Sequence, residues 1–318
     1  MSGRLAIIDN PRSFRGGYPI GRVRPILEVA GWEVTVLDRL PGVSVRALVE
    51  QAITAGASLI ISAGGDGTLR DVASAAVGTG VAVGILPGGT TNVFARELGI
   101  PSEPEGAAEA LIAGVDRPID LGRLTLPDGR WARFLIAAGL GLDGAILAAT
   151  RSDLKRRVGP GAIALAAVAV APRWRAAEVT IRVDGGERWS GSAWQLIAGN
   201  TRLYANLVLP NPEAQLDDGL LDLCVLPAMH PTRLVRLGLS VAITRVPPAE
   251  GALWFKAREF EVTWGNGPPP VELDGTPVGG VDASTVRLSC EPGVLLARLP
   301  SGDAGGLLGG RTPRANAA

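Results

Sequence analysis

The feature that most limits the fold is the order of elements in the first 120 or so residues. Continuous apolar runs near residues 5–8, 33–37, 57–62, 81–86 and 117–121 are separated by stretches whose apolar residues recur at helical spacing. That order marks βα units wound around a parallel sheet. Runs such as A-S-L-I-I-S (57–62) and V-A-V-G-I-L (81–86) lack polar alternation, as strands covered on both faces require. Ligands of such sheets lie beyond the carboxyl ends of the strands. Three loops fall there: N-P-R-S-F-R-G-G from Asn10, G-G-D-G-T from Gly64 and P-G-G-T-T-N from Pro87.

After about Leu124 the texture changes to short alternating segments broken by D-G, G-G, G-N and P-N-P turns, as in E-V-T-I-R-V-D-G-G-E-R-W (178–189). This pattern predicts an antiparallel β-sandwich. With 318 residues there is enough chain for two cores. The expected fold class is α/β plus β. A Rossmann-like nucleotide-binding domain covers 1–123 and a β-rich domain covers 124–287. Two helical interruptions, 145–175 and 231–246, fall inside the second domain. The tail 302–318 is rich in glycine and small residues and is expected to be disordered.

Composition removes several classes of function. The formal net charge is zero, so no basic field exists to hold nucleic acid. Cys224 and Cys290 lie in apolar stretches without C-x-x-C spacing, and His230 is the sole histidine, which leaves no zinc site, redox pair or histidine triad. Asp9 interrupts the N-terminus before a signal-type apolar region forms, and the longest apolar run, 162–171, is too short to span a bilayer. A cytoplasmic protein is expected.

In G-G-D-G-T the glycines let backbone N–H groups approach an anion, and Thr68 is placed to cap the following helix, whose N-terminus favours phosphate. Asp66 would repel that phosphate unless a metal ion or a reacting hydroxyl offset it. No Walker A loop occurs. In the next unit, Thr90, Thr91 and Asn92 follow a Pro-Gly-Gly turn as cap and donor residues. G-L-G-L-D-G (139–144) fits a dinucleotide fingerprint in spacing, but no carboxylate for a ribose follows about twenty residues on.

Taken in order, N-P-R-S, G-G-D-G-T, P-G-G-T-T-N-V-F-A-R, D-L-G at Asp120, G-L-G-L-D-G at Gly139 and L-D-D-G-L-L-D at Leu216 resemble the diacylglycerol kinase catalytic family of soluble lipid kinases, which includes sphingosine and ceramide kinases. The resemblance implies an N-terminal nucleotide domain with a return segment at about 288–301, a C-terminal β domain and a lipid site between them. It implies ATP held by Asn10, Pro11, Arg12, Ser13 and Phe14, by Gly64, Gly65, Asp66, Gly67, Thr68 and Leu69 onward to Asp71, and by Gly89, Thr90 and Asn92. It also implies Mg2+ held by the Asp218 carboxylate and the carbonyls of Gln215 and Leu220, with Asp217 serving the turn. Asp143 is expected at the interdomain site or as a helix cap.

The sequence departs from the family at three places. In V-E-L-D-G-T-P-V (271–278), Thr276 occupies the position of the glutamate expected as catalytic base, and a threonine cannot serve as a base near neutral pH. Asp66 acting as base, Glu272 or Asp274 substituting, and loss of strong activity all remain open. Val93 replaces a frequent aspartate, and the first loop lacks a lysine, leaving Arg15 or Arg22 to supply positive charge.

The expected function is ATP-dependent transfer of the γ-phosphoryl group to a lipid hydroxyl, diacylglycerol by default. A nucleotide- or lipid-binding regulator and a soluble-acceptor kinase of the NAD kinase type are the alternatives. The basic-apolar-basic stretch 154–175 suits contact with the inner membrane face, where the lipid substrate lies, or burial on the β domain. The sequence allows a homodimer without specifying one.

Overall fold

The computed structural model describes residues 3–13, 17–150, 166, 169–170, 173–204, 208–229, 251–301 and 306–309. The chain divides into two compact units: Met1–Asp120 with Leu216–Asp218 and Pro292–Ala318, and Leu121–Gln215 with Gly219–Glu291.

The first unit runs β1 (Gly3–Asp9), α1 (Ile20–Val29), β2 (Trp32–Asp38), α2 (Val45–Thr54), β3 (Ala57–Gly64), α3 (Asp66–Ala76), β4 (Ala82–Pro87), α4 (Val93–Glu97) and α5 (Pro104–Ala113). Strands β4, β3, β1 and β2 lie side by side in that order, all parallel. Ile7, Ile8, Ile60, Ile61, Ile85 and Leu86 are buried, as expected for strands with apolar side chains on both faces. The register aligns Asp9 with Ala63, and Gly64 with Pro87, so the loops after β1, β3 and β4 leave from one edge.

The run 117–121 does not supply the fifth parallel strand. It lies within β5 (Val115–Thr125), which pairs antiparallel with β6 (Trp131–Phe134). The neighbour of β4 comes instead from the end of the chain, where Ala297 stands opposite Val83 in parallel register. A strand returning from some two hundred residues away leaves no local signal.

The second unit continues with β7 (Ala137–Gly141), α6 (Leu142–Ala149), β8 (Ala177–Val183), β9 (Gly186–Gly199), β10 (Leu221–Pro227), β11 (Leu253–Ala257), β12 (Glu259–Trp264), β13 (Val271–Leu273), β14 (Thr276–Val278) and β15 (Thr285–Leu299), whose last residues belong to the first unit. Pairing here is antiparallel, as the alternating pattern predicts. β9 is the hub: its first half pairs β8, and its second half lies between β7 and β10. Phe134, Val179, Ile181, Leu196, Leu223, Phe260, Val262 and Leu288 fill the core of this unit.

Several motif residues are explained by packing. A Cβ on Gly122, of D-L-G, would fall 2.0 Å from the buried Phe134 ring. Asp120 is buried, and its carboxylate accepts the Gly293 N–H at 2.7 Å. Neither Cys224 nor Cys290 is in a disulfide, and burial raises Cys224 to about 12. The tail expected to be disordered contains a described segment, 306–309, in which Leu307 and Leu308 are buried and the Leu307 carbonyl accepts the Leu216 N–H at 2.8 Å. Two apolar side chains supply packing that its glycine content concealed. Phe14, Arg15, His230, the helix expected at 231–246 and most of 154–175 lie outside the described residues. Trp174 donates its indole N–H to the Trp194 carbonyl and packs on the β core. Among the described residues no helix is long and apolar enough to cross a membrane.

Gly122→Ala is expected to destabilise the protein by about 1–3 kcal/mol or more, because the core cannot accept the extra methyl without moving Phe134. Urea denaturation of the two proteins measures the difference.

Candidate functional site

The two glycine loops of the first unit are locked together. Asp66 opens α3, but its carboxylate turns to another helix: Oδ2 accepts the Val93 N–H at 3.0 Å and the Thr91 hydroxyl at 3.3 Å, and Oδ1 accepts the Phe94 N–H at 3.2 Å. Asp66 therefore caps α4, a helix of only five residues whose own N-cap residue, Asn92, sits at φ +46° and makes no side-chain cap. Asn92 closes its turn instead, accepting the Gly89 N–H at 2.7 Å and donating to the Gly89 carbonyl at 2.9 Å. Burial pushes the Asp66 carboxyl up, and the three donors from Val93, Phe94 and Thr91 oppose that rise. A helix N-terminus favours a negative charge at this place.

The glycines also bring the loops into contact. A Cβ on Gly89 would lie 2.5 Å from the Gly65 Cα, and one on Gly64 would lie 2.9 Å from Thr68. The Gly88 N–H donates to the Gly64 carbonyl at 2.9 Å. Close backbone packing explains these glycines without reference to any ligand.

Thr68 is not the helix cap expected from sequence. It lies inside the first turn of α3, and its hydroxyl accepts Asn10 Nδ2 at 2.8 Å, tying the first loop to the second. Asn10 Oδ1 accepts the Arg12 N–H at 3.2 Å, and the Ser13 N–H donates to the Asn10 carbonyl, so Asn10, Pro11, Arg12 and Ser13 form one tight turn. Leu69 is buried in the core, whereas Thr90 is exposed.

Arg22, expected to face phosphate, is held by Glu105 through two hydrogen bonds of 2.5 and 2.7 Å. A cation that sequence reading missed lies closer. Arg39, one residue past β2, reaches Thr68 Oγ1 at 3.5 Å and Asp71 at 2.9 Å. Its position at the carboxyl end of a parallel strand was the signal available for finding it.

In the second unit, a cavity of about 170 Å³ is walled by Leu142, Ile146, Trp194, Ile197, Leu226 and Met229, with Asp143, Gln195 and Tyr204 as its polar members. Asp143 is no helix cap; Gly141 holds that place. Tyr204 Oη is in hydrogen-bond contact with Asp143 Oδ2 and lies 2.8 Å from Glu272 Oε1. Glu272 Oε2 accepts the Gly275 N–H at 2.6 Å. The glycines of G-L-G-L-D-G make room for this arrangement: a Cβ on Gly139 would lie 2.0 Å from Asp143 Oδ2, and one on Gly144 would lie 2.7 Å from the Pro270 carbonyl. Burial raises Asp143 and Glu272, and the Asp143 charge raises Glu272 further.

Thr276 is exposed on β14. Of the two nearby carboxylates, Asp274 is taken up structurally, accepting the N–H groups of Leu135, Ile136 and Ala137 at 2.8–3.1 Å. Among the described residues, no three His, Cys, Asp or Glu side chains group as a metal cage. In the 215–220 loop, Asp217 accepts the Gly309 N–H at 2.7 Å, a tie to the chain's end rather than a bond within its own turn, and Gly219 takes φ +75°.

These features belong to a kinase fold. Residues 4–124 match the diacylglycerol kinase catalytic domain, and residues 137–297 match the YegS C-terminal NAD kinase beta sandwich-like domain. The chain belongs to the diacylglycerol kinase catalytic domain family. A Pseudomonas aeruginosa protein named "probable lipid kinase YegS-like" is 37% identical over 278 residues, covering 86% of this chain and 87% of its own. A relative of the same name in Pseudomonas putida is 34% identical over 95% of this chain and 94% of its own. The crystal structure of a diacylglycerol kinase from Bacillus anthracis shares the fold with a TM-score of 0.73 at 20% identity, over 94% of this chain and 98% of that one. An NAD kinase from Archaeoglobus fulgidus, solved with ATP, superposes with a TM-score of 0.50 at 14% identity, over 95% of each chain.

Asp66→Ala is expected to lower stability by about 1–3 kcal/mol, since it strips the cap from α4 and leaves buried N–H groups unpaired; chemical denaturation reads this. The acid cluster predicts a pH effect of defined sign. Because Asp143 and Glu272 are raised on folding, their contribution to stability is complete below the ordinary carboxyl range and is lost as pH rises through the folded values. Between about pH 5 and pH 8 the melting temperature of the wild type should therefore fall more than that of Glu272→Gln.

Proposed function

We propose that this protein is a lipid kinase that uses ATP and Mg2+ and transfers the γ-phosphoryl group to a lipid hydroxyl, with a diacylglycerol-like alcohol as default acceptor. The observation that carries the lipid reading is the cavity of the second unit, apolar apart from Asp143, Gln195 and Tyr204. An acyl chain gains by entering such a lining. A soluble, charged acceptor would leave most of the lining without a partner.

The loops after β1, β3 and β4 supply the nucleotide end of this reading. Asn10, Thr68, Gly89 and Thr90 present the backbone and hydroxyl groups, and Arg39 supplies the positive charge assigned to Arg15 or Arg22 from sequence. Asp66 positions these groups by capping α4. Phosphoryl transfer relies mainly on such positioning and on neutralisation of charge. Asp218 with the Gln215 and Leu220 carbonyls would hold Mg2+, which when bound neutralises phosphate charge. The names of the Pseudomonas relatives and the ATP of the archaeal NAD kinase agree with this reading. Membrane contact at the inner face follows from the nature of the acceptor.

Purified protein incubated with γ-labelled ATP, magnesium and either a lipid extract or soluble acceptors should place label in the organic phase. Label confined to soluble products would overturn the lipid assignment, and absence of transfer would leave a nucleotide- or lipid-binding regulator. Arg39→Ala should raise the KM for ATP about tenfold or more while leaving the lipid KM unchanged, consistent with loss of about 1.5–3 kcal/mol from one charge-assisted contact. Initial-rate kinetics with each substrate varied in turn provide the check.

A further inference from the structure

Strands β1 and β2 end side by side at the edge from which the loops of the first unit leave, and each ends on an aspartate. Asp9 and Asp38 stand opposite one another in parallel register, which puts both side chains on one face of the sheet. The Arg39 N–H donates to the Asp9 carbonyl at 2.7 Å and ties the two strand ends together. Asp38 is open to solvent, whereas Asp9 is only 7% exposed, and its Oδ1 is buried without a hydrogen-bond partner. A buried carboxylate oxygen left unmatched is costly. Burial pushes the Asp9 carboxyl up and the Asp38 charge pushes it further, against the backbone N–H groups of Tyr18 and Asn10. No protein cation relieves the pair. Among the described residues no lysine or arginine forms an ion pair with either acid, and Arg39, next in the chain to Asp38, is turned to Asp71 at 2.9 Å and Thr68 at 3.5 Å.

We propose that Asp9 and Asp38 hold a divalent cation of the size and hardness of magnesium, in a site that shares no residue with the 215–220 loop. A cation does what a hydroxyl or an amide ligand would not: it meets the orphaned oxygen and removes the repulsion between two like charges. Carboxylate oxygens select magnesium or manganese over softer metals. Magnesium needs no cage of three or more side chains, because one or two carboxylates suffice when water and substrate phosphate complete the shell. Asp9 is the enclosed anchor, and the exposed Asp38 leaves the rest of the shell open. The residues that follow these acids in the chain, Asn10 and Arg39, are groups assigned above to the nucleotide. The phosphates of ATP are therefore the ligand that completes the shell, a step that rests on the ATP-dependent reading above. The same two acids select for the metal complex, since ATP without a cation meets two negative charges beside its binding loops.

The test is calorimetric titration of the full-length protein with ATP, without any acceptor, once in excess magnesium and once in EDTA, for wild type, Asp9→Asn and Asp38→Asn. Wild type should bind ATP about tenfold or more tightly with magnesium than without it. In each variant that ratio should fall toward one, chiefly because metal-free ATP binds more tightly once a repelling charge is gone. Loss of structure would not produce such a gain. A ratio in Asp38→Asn equal to that of wild type overturns the proposal, and this variant, at an exposed position, decides the matter even if Asp9→Asn fails to fold. Wild type that binds ATP equally well in both buffers overturns this proposal alone. Wild type that binds ATP in neither overturns the ATP-dependent reading and this proposal with it.

Discussion

One buried carboxylate organises the first unit. The loop after β3 and the loop after β4 belong to successive βα units, and nothing in their covalent connection fixes one against the other. Asp66 does so by ending one loop and capping the helix that begins after the other. An ion at a helix N-terminus is well placed electrostatically, and enclosure strengthens it by excluding water. Asn10 and Thr68 then join the first loop to this pair, so three separate connections become one surface.

The second unit solves a related problem with the opposite outcome. Two of its buried carboxyl groups share a tyrosine: Asp143, in the first turn of α6, and Glu272 both meet the Tyr204 hydroxyl, and among the described residues no lysine or arginine bonds to either. Asp66 is stabilised as an anion by three donors. Asp143 and Glu272 are two buried acids that meet at one hydroxyl, with one backbone N–H each from Gly144 and Gly275, and burial pulls both toward protonation. Asp274 completes the comparison: three backbone N–H groups occupy it, which makes it a structural anchor.

Apolar periodicity made the fold class legible because strands covered on both faces, and strands covered on one, leave different patterns. The chain-end strand beside β4 was not legible from periodicity, since its pairing depends on a return from the far end of the sequence; only the family resemblance led us to expect a return segment, at about 288–301. Among the site residues, glycine-rich loops after strands could be recognised by position, but the reason for each glycine could not. Gly65 and Gly89 are glycines because of each other, a relation visible only once the two loops are side by side. Thr68 illustrates the same limit, for its partner, Asn10, lies fifty-eight residues earlier. Neither Arg39 nor Tyr204 belongs to a motif; Arg39 was marked only by its place at the end of β2, and Tyr204 is brought to its site by tertiary structure alone.

The contact between Gly65 and Gly89 has an evolutionary consequence. Each position constrains the other directly, so a substitution in either loop is judged against the backbone of its neighbour, and the effects of changes in both should depart from additivity. A change tolerated in one loop should therefore depend on the residue present in the other. The same rigidity means that a ligand arriving at their shared edge meets a surface already ordered, and spends little of its binding free energy on arranging it.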